Sequence, residues 1–381
     1  MKALGKQTIS VGQLAILYVS FMVGSSVVNV PNPMIRFAGN MAWLSLIVSA
    51  LMGMLLLSLV LYLFRCYPDE IYTAYLGRVY GRWIGGVFTV LLMLMLFLML
   101  AYITLDIGNF FINTMMVETP VYVFNAFTIV TAAYAVYNGI EVMGRMFFLL
   151  MCSMVLAVVL IVLMSIPIDR AESLLPLFPE GFKPILHGIY FSFGFPFGES
   201  FLFAVILPFV RKESRRHAGK WLLVMTAFSA FLLLIVVVTT VMTLGPVAGD
   251  RKFSLYAVAR LVEIGEFLIG LEAIVGIALI AGSFMKATVV LFILNYMTSH
   301  FFKLDDDKLL LPALALITFL LSMTMFEAES EFSTAVQVGW PSIVMTVGIA
   351  PLALAALITF VKRKWGRPKR SGSAGGRDGL A

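Results

Sequence analysis

Two ionisable residues stand deep inside otherwise apolar sequence: Glu199, in HGIYFSFGFPFGESFLFAVILP, and Lys286, in LEAIVGIALIAGSFMKATVV. A charge at the centre of a membrane helix costs about 2.5–3.5 kcal/mol on insertion scales, so it normally faces a cavity or a partner and marks function. Glu199 could cap freed backbone amides, bind the ammonium of a substrate or take up a proton. Lys286 reads as a tethered cation for ion coupling. Its competing reading is snorkelling to the interface, across about fourteen residues, roughly 21 Å of helix, to His300. Glu272 precedes Lys286 by the same interval and shares its helix face at about 100° per residue, too far away to pair with it.

Glu199 sits in a run of residues that weaken a helix: Phe193, Gly194, Pro196, Gly198 and Ser200 surround it. A second such run, Gly24-Ser25-Ser26, interrupts QLAILYVSFMVGSSVVNVPNP and is followed by Pro31 and Pro33. Proline removes an amide donor and glycine lowers helix propensity. Unwound backbone at membrane depth survives only where it lines a cavity or is buried in protein, and there the freed amides and carbonyls can hold a ligand. Kinks and close helix packing are the competing reading, since both residue types are common in membrane helices. Two breaks at matching depth, one with a carboxylate, favour a binding site. The substrate-binding candidates are Gly24, Ser25, Ser26, Phe193, Gly194, Pro196, Gly198 and Glu199, with Tyr102 one turn before Asp106 in LMLAYITLDIGNFF. The alternative for that last pair is packing for Tyr102 and an interface position for Asp106.

The elements that must position these groups follow from composition. The chain of 381 residues is 61% apolar and 13% charged, against roughly 45–50% and about 25% in soluble domains. Each crossing helix needs about 20 largely apolar residues, and such stretches fall near 10–36, 41–64, 83–113, 119–138, 144–166, 184–210, 218–245, 264–300, 309–326 and 338–362. These are spans 1 to 10 of an all-α polytopic membrane protein, with no room for a soluble domain. The first apolar stretch is too long and interrupted for a cleaved signal peptide and is read as span 1.

Ten spans put both termini on one side. Twenty Lys and Arg fall in the segments on that side and six on the other, which by the positive-inside rule makes the termini cytoplasmic. The net charge of +6 is then a topology signal, and nucleic-acid binding is not expected. Residues 1–9 form a cytoplasmic N-terminus, 10–166 a first five-helix repeat, 167–183 an outer loop, 184–362 a second five-helix repeat and 363–381 a disordered cytoplasmic tail. Because five is odd, the second repeat enters from the opposite side, the inverted arrangement of many secondary transporters, with spans 1 and 6 as the broken first helices. Three unpaired histidines and two cysteines give no metal spacing, no cofactor motif occurs, and enzymatic catalysis is not expected.

The segments ISVGQLAILYVSFMVGSSVVNVP, WIGGVF, MVETP, FPFGESFLFAVILP and LEAIVGIALIAGSFMKATVV occur in an order that resembles the spore germination permease family, the B subunits of GerA-type germinant receptors, over roughly residues 8–362. The resemblance implies the amino-acid/polyamine/organocation superfamily fold in the spore inner membrane and a small nutrient, commonly an amino acid, as ligand. It also implies a membrane A subunit and a lipoprotein C subunit as partners. In sodium-coupled relatives span 8 helps hold the ion, and Lys286 would stand in for it. The functions left open are a nutrient sensor, a proton-coupled amino-acid transporter using the same site, and a scaffold that only assembles partners.

Overall fold

A computed structural model describes residues 7–365 except 69, 177, 179–180 and 262–270. Glu263, Glu266, the side chain of Glu272 and most of the expected tail lie outside the described residues. Among the described residues nine helices are long and apolar enough to cross a membrane, and Leu311–Thr324 is a shorter apolar helix between two of them. Span 1 is Val11–Asn29, extended by Pro31–Ala38, and span 2 is Ala42–Cys66. Spans 3 to 5 are Arg82–Thr114, Val121–Asn138 and Ile140–Ser165; span 6 is Lys183–Phe209 in several pieces and span 7 is Arg215–Leu244. Span 8 is Leu271–Phe301, span 9 Leu311–Thr324 and span 10 Glu329–Arg363.

Span 10 starts well before the expected position near 338. Its first turns carry Ser330, Ser333, Thr334 and Gln337, which read as loop in a hydropathy average but continue the helix. Two shorter helices, Tyr72–Tyr80 and Ser254–Leu261, occupy connections that the sequence reading left without structure.

Span 1 begins where span 6 ends. The amide of Ile9 donates to the carbonyl of Phe209 at 3.0 Å, and the amide of Arg211 donates back to Ile9 at 3.1 Å. At the other end Phe37 packs its ring against His187 and Phe191, at the start of span 6. The two broken spans therefore run antiparallel, as inversion of two five-helix repeats requires. The N-terminal end of the bundle also gathers Gln7 against the amide of Ile140, Arg215 against the carbonyl of Pro68, and Arg363 against Cys66. At the opposite end Asn32 binds the carbonyl of Gly249 and Asn40 that of Pro176. The connections sort between the two ends as the alternation of ten spans requires.

Burial separates the spans by role. In their most apolar stretches spans 1, 6 and 8 have 78%, 83% and 76% of residues buried, against 33% for spans 4 and 5. The outer spans present Phe127, Val130, Tyr134, Leu149 and Leu156 outward, as lipid contact demands. The central ones touch at small residues, because apolar lipid offers helices no hydrophobic drive to associate and close backbone approach must supply the attraction. A Cβ on Gly24 would lie 2.4 Å from the carbonyl oxygen of Gly282, and one on Gly282 would lie 2.5 Å from that of Gly24. Ser45 and Ser49 of span 2 add hydrogen bonds to the carbonyl of Ile185 and the hydroxyl of Ser192 in span 6.

Gly282→Val is expected to force spans 1 and 8 apart, to cost about 1–3 kcal/mol as overpacking does, and to lower the thermal unfolding midpoint of the detergent-solubilised protein. Unfolding at the parent temperature would show that this contact does not hold the core.

Candidate functional site

The helix of span 1 stops at Val23, Gly24 takes φ −38° and ψ −82°, and helix resumes at Ser26. The hydroxyls of Ser20, Ser25 and Ser26 are buried around this break without a hydrogen-bond partner among the described residues. In span 6 regular helix ends at Ser192, and a widened turn follows over Phe193–Phe197 in which Phe195 is extended at φ −146° and ψ 113°. A tightened turn over Gly198–Leu202 then carries Glu199 and Ser200. Other spans supply the room: Gly53 of span 2 faces Phe197, Gly348 of span 10 faces Phe201, and Gly194 abuts Pro341.

Glu199 and Lys286 meet. Their side chains are 1% and 0% exposed, and Lys286 Nζ lies 2.6 Å from Glu199 Oε2. The indole Nε1 of Trp340, from span 10, donates to Glu199 Oε1 at 2.7 Å. The ammonium also sits over the rings of Phe195 at 4.2 Å and Phe21 at 5.1 Å, where the ring quadrupole attracts a desolvated cation. Nζ is buried against Glu199 and reaches no surface, so Lys286 does not snorkel.

A cavity of about 350 Å³ lies against this pair, within the lower part of the range of small-molecule sites, about 300–1,000 Å³. Ser25, Asn29, Tyr102, Asp106, Phe195, Glu199, Lys286 and Trp340 line its depth. It extends to Arg36, Asp250, Lys252 and Glu329 at the end of the bundle opposite the N-terminus. There Lys252 is ion-paired with Glu329, joining the connection before span 8 to the first turn of span 10.

Four of the sequence candidates, Ser25, Tyr102, Glu199 and Lys286, share this cavity. Gly24 instead packs on Gly282, while Ser26, Phe193, Gly194, Pro196 and Gly198 shape the two breaks behind the lining. Asp106 is 8% exposed and faces the cavity, with Asn29 Nδ2 donating to its Oδ2 at 2.5 Å, so it does not mark an interface. The sequence reading missed Asn29 and Trp340. Asn29, one turn beyond Ser25, offered the signal of an amide in an apolar helix; Trp340 offered none that separates it from a lipid-facing tryptophan.

Residues 8–331 match the family described as "Spore germination protein". The chain is 27% identical over 374 residues to spore germination protein KB of Bacillus subtilis (strain 168), covering 97% of this chain and 98% of that protein. Among solved structures it is similar to MhsT in complex with L-phenylalanine, with TM-score 0.69, 15% identity, 95% of this chain and 90% of that one covered. It is also similar to a Na+-coupled sialic acid symporter in a substrate-bound outward-open state, with TM-score 0.66, 11% identity and coverage of 91% and 80%. These structural likenesses show the fold.

Removing one member of a buried ion pair leaves an uncompensated charge and costs about 3–5 kcal/mol, while replacing both removes much of that penalty. Glu199→Gln and Lys286→Met should each destabilise strongly, and the double variant should unfold later than the sum of the two effects requires. Additive losses in a thermal-unfolding cycle would show that the two side chains do not depend on each other.

Proposed function

The chain belongs to the spore germination protein family, and from that premise we propose that it is the nutrient-sensing B subunit of a germinant receptor, binding a small germinant of the amino-acid class between spans 1 and 6. The observation that carries this reading is the cavity itself, which takes Ser25 from one helix break and Phe195 and Glu199 from the other. The hydroxyl of Ser25, which lines the cavity at the span 1 break and has no hydrogen-bond partner among the described residues, suits a ligand carboxylate, while Phe195, Tyr102 and Trp340 give apolar surface for the rest. MhsT, of similar fold, was solved with L-phenylalanine, which supports an amino acid as the ligand class.

Signalling then requires only that the ligand bind one arrangement of the two halves better than another, with closure read by membrane A and lipoprotein C partner subunits. The count of basic residues supports cytoplasmic termini, and the setting is the spore inner membrane. A second reading, proton-coupled amino-acid transport, is favoured by the acid–base pair at the floor of the cavity and uses the same site.

Spores that carry this protein as their only B subunit, with Ser25→Val or Tyr102→Ala, should shift their nutrient dose response by tenfold or more while the protein level in spore membranes is unchanged. An unaltered dose response would remove the cavity from sensing. Proteoliposomes loaded with a pH gradient separate the two readings: binding of a labelled amino acid without accumulation supports a receptor, whereas sustained accumulation supports a transporter.

A further inference from the structure

Three cations line the cavity: Arg36, Lys252 and Lys286. Lys286 is neutralised by Glu199 and Lys252 by Glu329, and Arg36 is exposed at the cavity's end. Of the four carboxylates, Asp250 is exposed there as well. Asp106 alone combines burial, a place on the deep wall and no ion pair among the described residues. Its one hydrogen bond comes from the neutral amide of Asn29, which holds the carboxylate in place without balancing its charge.

Carboxylates buried in a low-dielectric interior are paired or else give up their charge. Glu199 is already balanced by Lys286, and Trp340 donates to its other oxygen, so it holds no unmatched charge for a ligand. We infer that Asp106, oriented by Asn29, receives the primary ammonium of the ligand. The inference rests on the amino-acid reading given above and assigns the opposite pole of the molecule.

The spacing fits. The backbone amide of Asn29 donates to the carbonyl of Ser25 at 3.1 Å, so the residue whose side-chain amide orients Asp106 stands one turn, about 6 Å of helix, beyond the span 1 break. A ligand with an ammonium beside its carboxylate can therefore engage Asp106 and the Ser25 break together. Tyr102, four residues before Asp106 on span 3, borders the same space. The required chemical class is a small primary amine that also bears a carboxylate, with a side chain able to lie against Phe195 and Trp340.

The test uses the full chain in lipid nanodiscs and three probe sets read by calorimetry: the L-amino acids, the primary amines left when their carboxyl groups are removed, and their N-acetyl derivatives. Amino acids are expected to bind, the amines more weakly, and the N-acetyl derivatives at least tenfold more weakly than the parents. Asp106→Asn, which keeps the side-chain volume, should lower affinity for amino acids and amines by about tenfold to a hundredfold, the loss of a charge-assisted contact. Equal binding of N-acetyl and free amino acids to the parent protein, or unchanged affinity in Asp106→Asn, overturns the assignment while leaving an amino-acid site standing. If the amines bind through Asp106 and amino acids do not, the amine site stands and the amino-acid reading falls. No binding by any ammonium-bearing probe overturns both. Because the N-acetyl comparison uses the parent protein, it decides the matter even if the variant fails to fold.

Discussion

The contact between Lys286 and Glu199 is the constraint around which the rest of the interior is arranged. Neither charge can be left alone at this depth, so span 8 must turn its lysine, and span 6 its break, toward one point. Trp340 of span 10 completes the carboxylate's hydrogen bonding, and Phe21 of span 1 and Phe195 of span 6 cover the ammonium. Four spans thus have rotations tied to one small cluster. A buried ion pair is a weak source of net stability, because its desolvation offsets most of the attraction, yet the loss of one partner is severe. Its consequence here is specificity of arrangement: a rotated span 8 would strand both charges.

Close packing makes that arrangement reachable. Lysine and glutamate can meet only if the backbones of spans 1 and 8 come together at Gly24 and Gly282, and if spans 2 and 10 admit the irregular turns of span 6 past Gly53 and Gly348. Larger residues at these points would hold the helices apart and leave the pair reaching across a gap. Gly24 of the span 1 break therefore has a packing duty, while the neighbouring Ser25 lines the cavity. Close packing, one of the two explanations of a broken membrane helix, thus holds at Gly24, and the cavity begins at the next residue.

Much of the architecture was legible because its causes are local. An apolar run of about 20 residues is a span whatever surrounds it, and Gly24-Ser25-Ser26 and Gly194-Phe195-Pro196 weaken a helix by their own chemistry. The sorting of connections between two ends was legible in the number and order of the spans. The pairing of Glu199 with Lys286 was not, since nothing in either segment states which faces of spans 6 and 8 will meet. The start of span 10 was hidden for a related reason: a hydropathy average merges the polar face toward the cavity, with Ser333 and Gln337, and the apolar face beside it. Asp106 had two readings because a carboxylate near a helix end is ordinary, and only the position of Asn29 on the neighbouring span separates them.

The division of charge inside the cavity bears on how a ligand could signal. A ligand can shift a conformational equilibrium only by its difference in affinity for the two states, so it must touch parts that move relative to each other. The lining of the cavity answers to this requirement: Ser25 and Asn29 belong to span 1, Asp106 to span 3 and Phe195 to span 6, so a small molecule there would touch elements of both repeats. Glu199 and Lys286, already satisfied by each other, form a floor whose energy does not need a ligand. A molecule held between Asp106 and the Ser25 break while resting on Phe195 would favour the arrangement that brings the first repeat and span 6 together. The typical coupling between sites, about 1–3 kcal/mol, is within what one charge-assisted contact supplies. An ammonium on Asp106 is thus sufficient in magnitude to bias the two halves without any change in the ion pair beneath it.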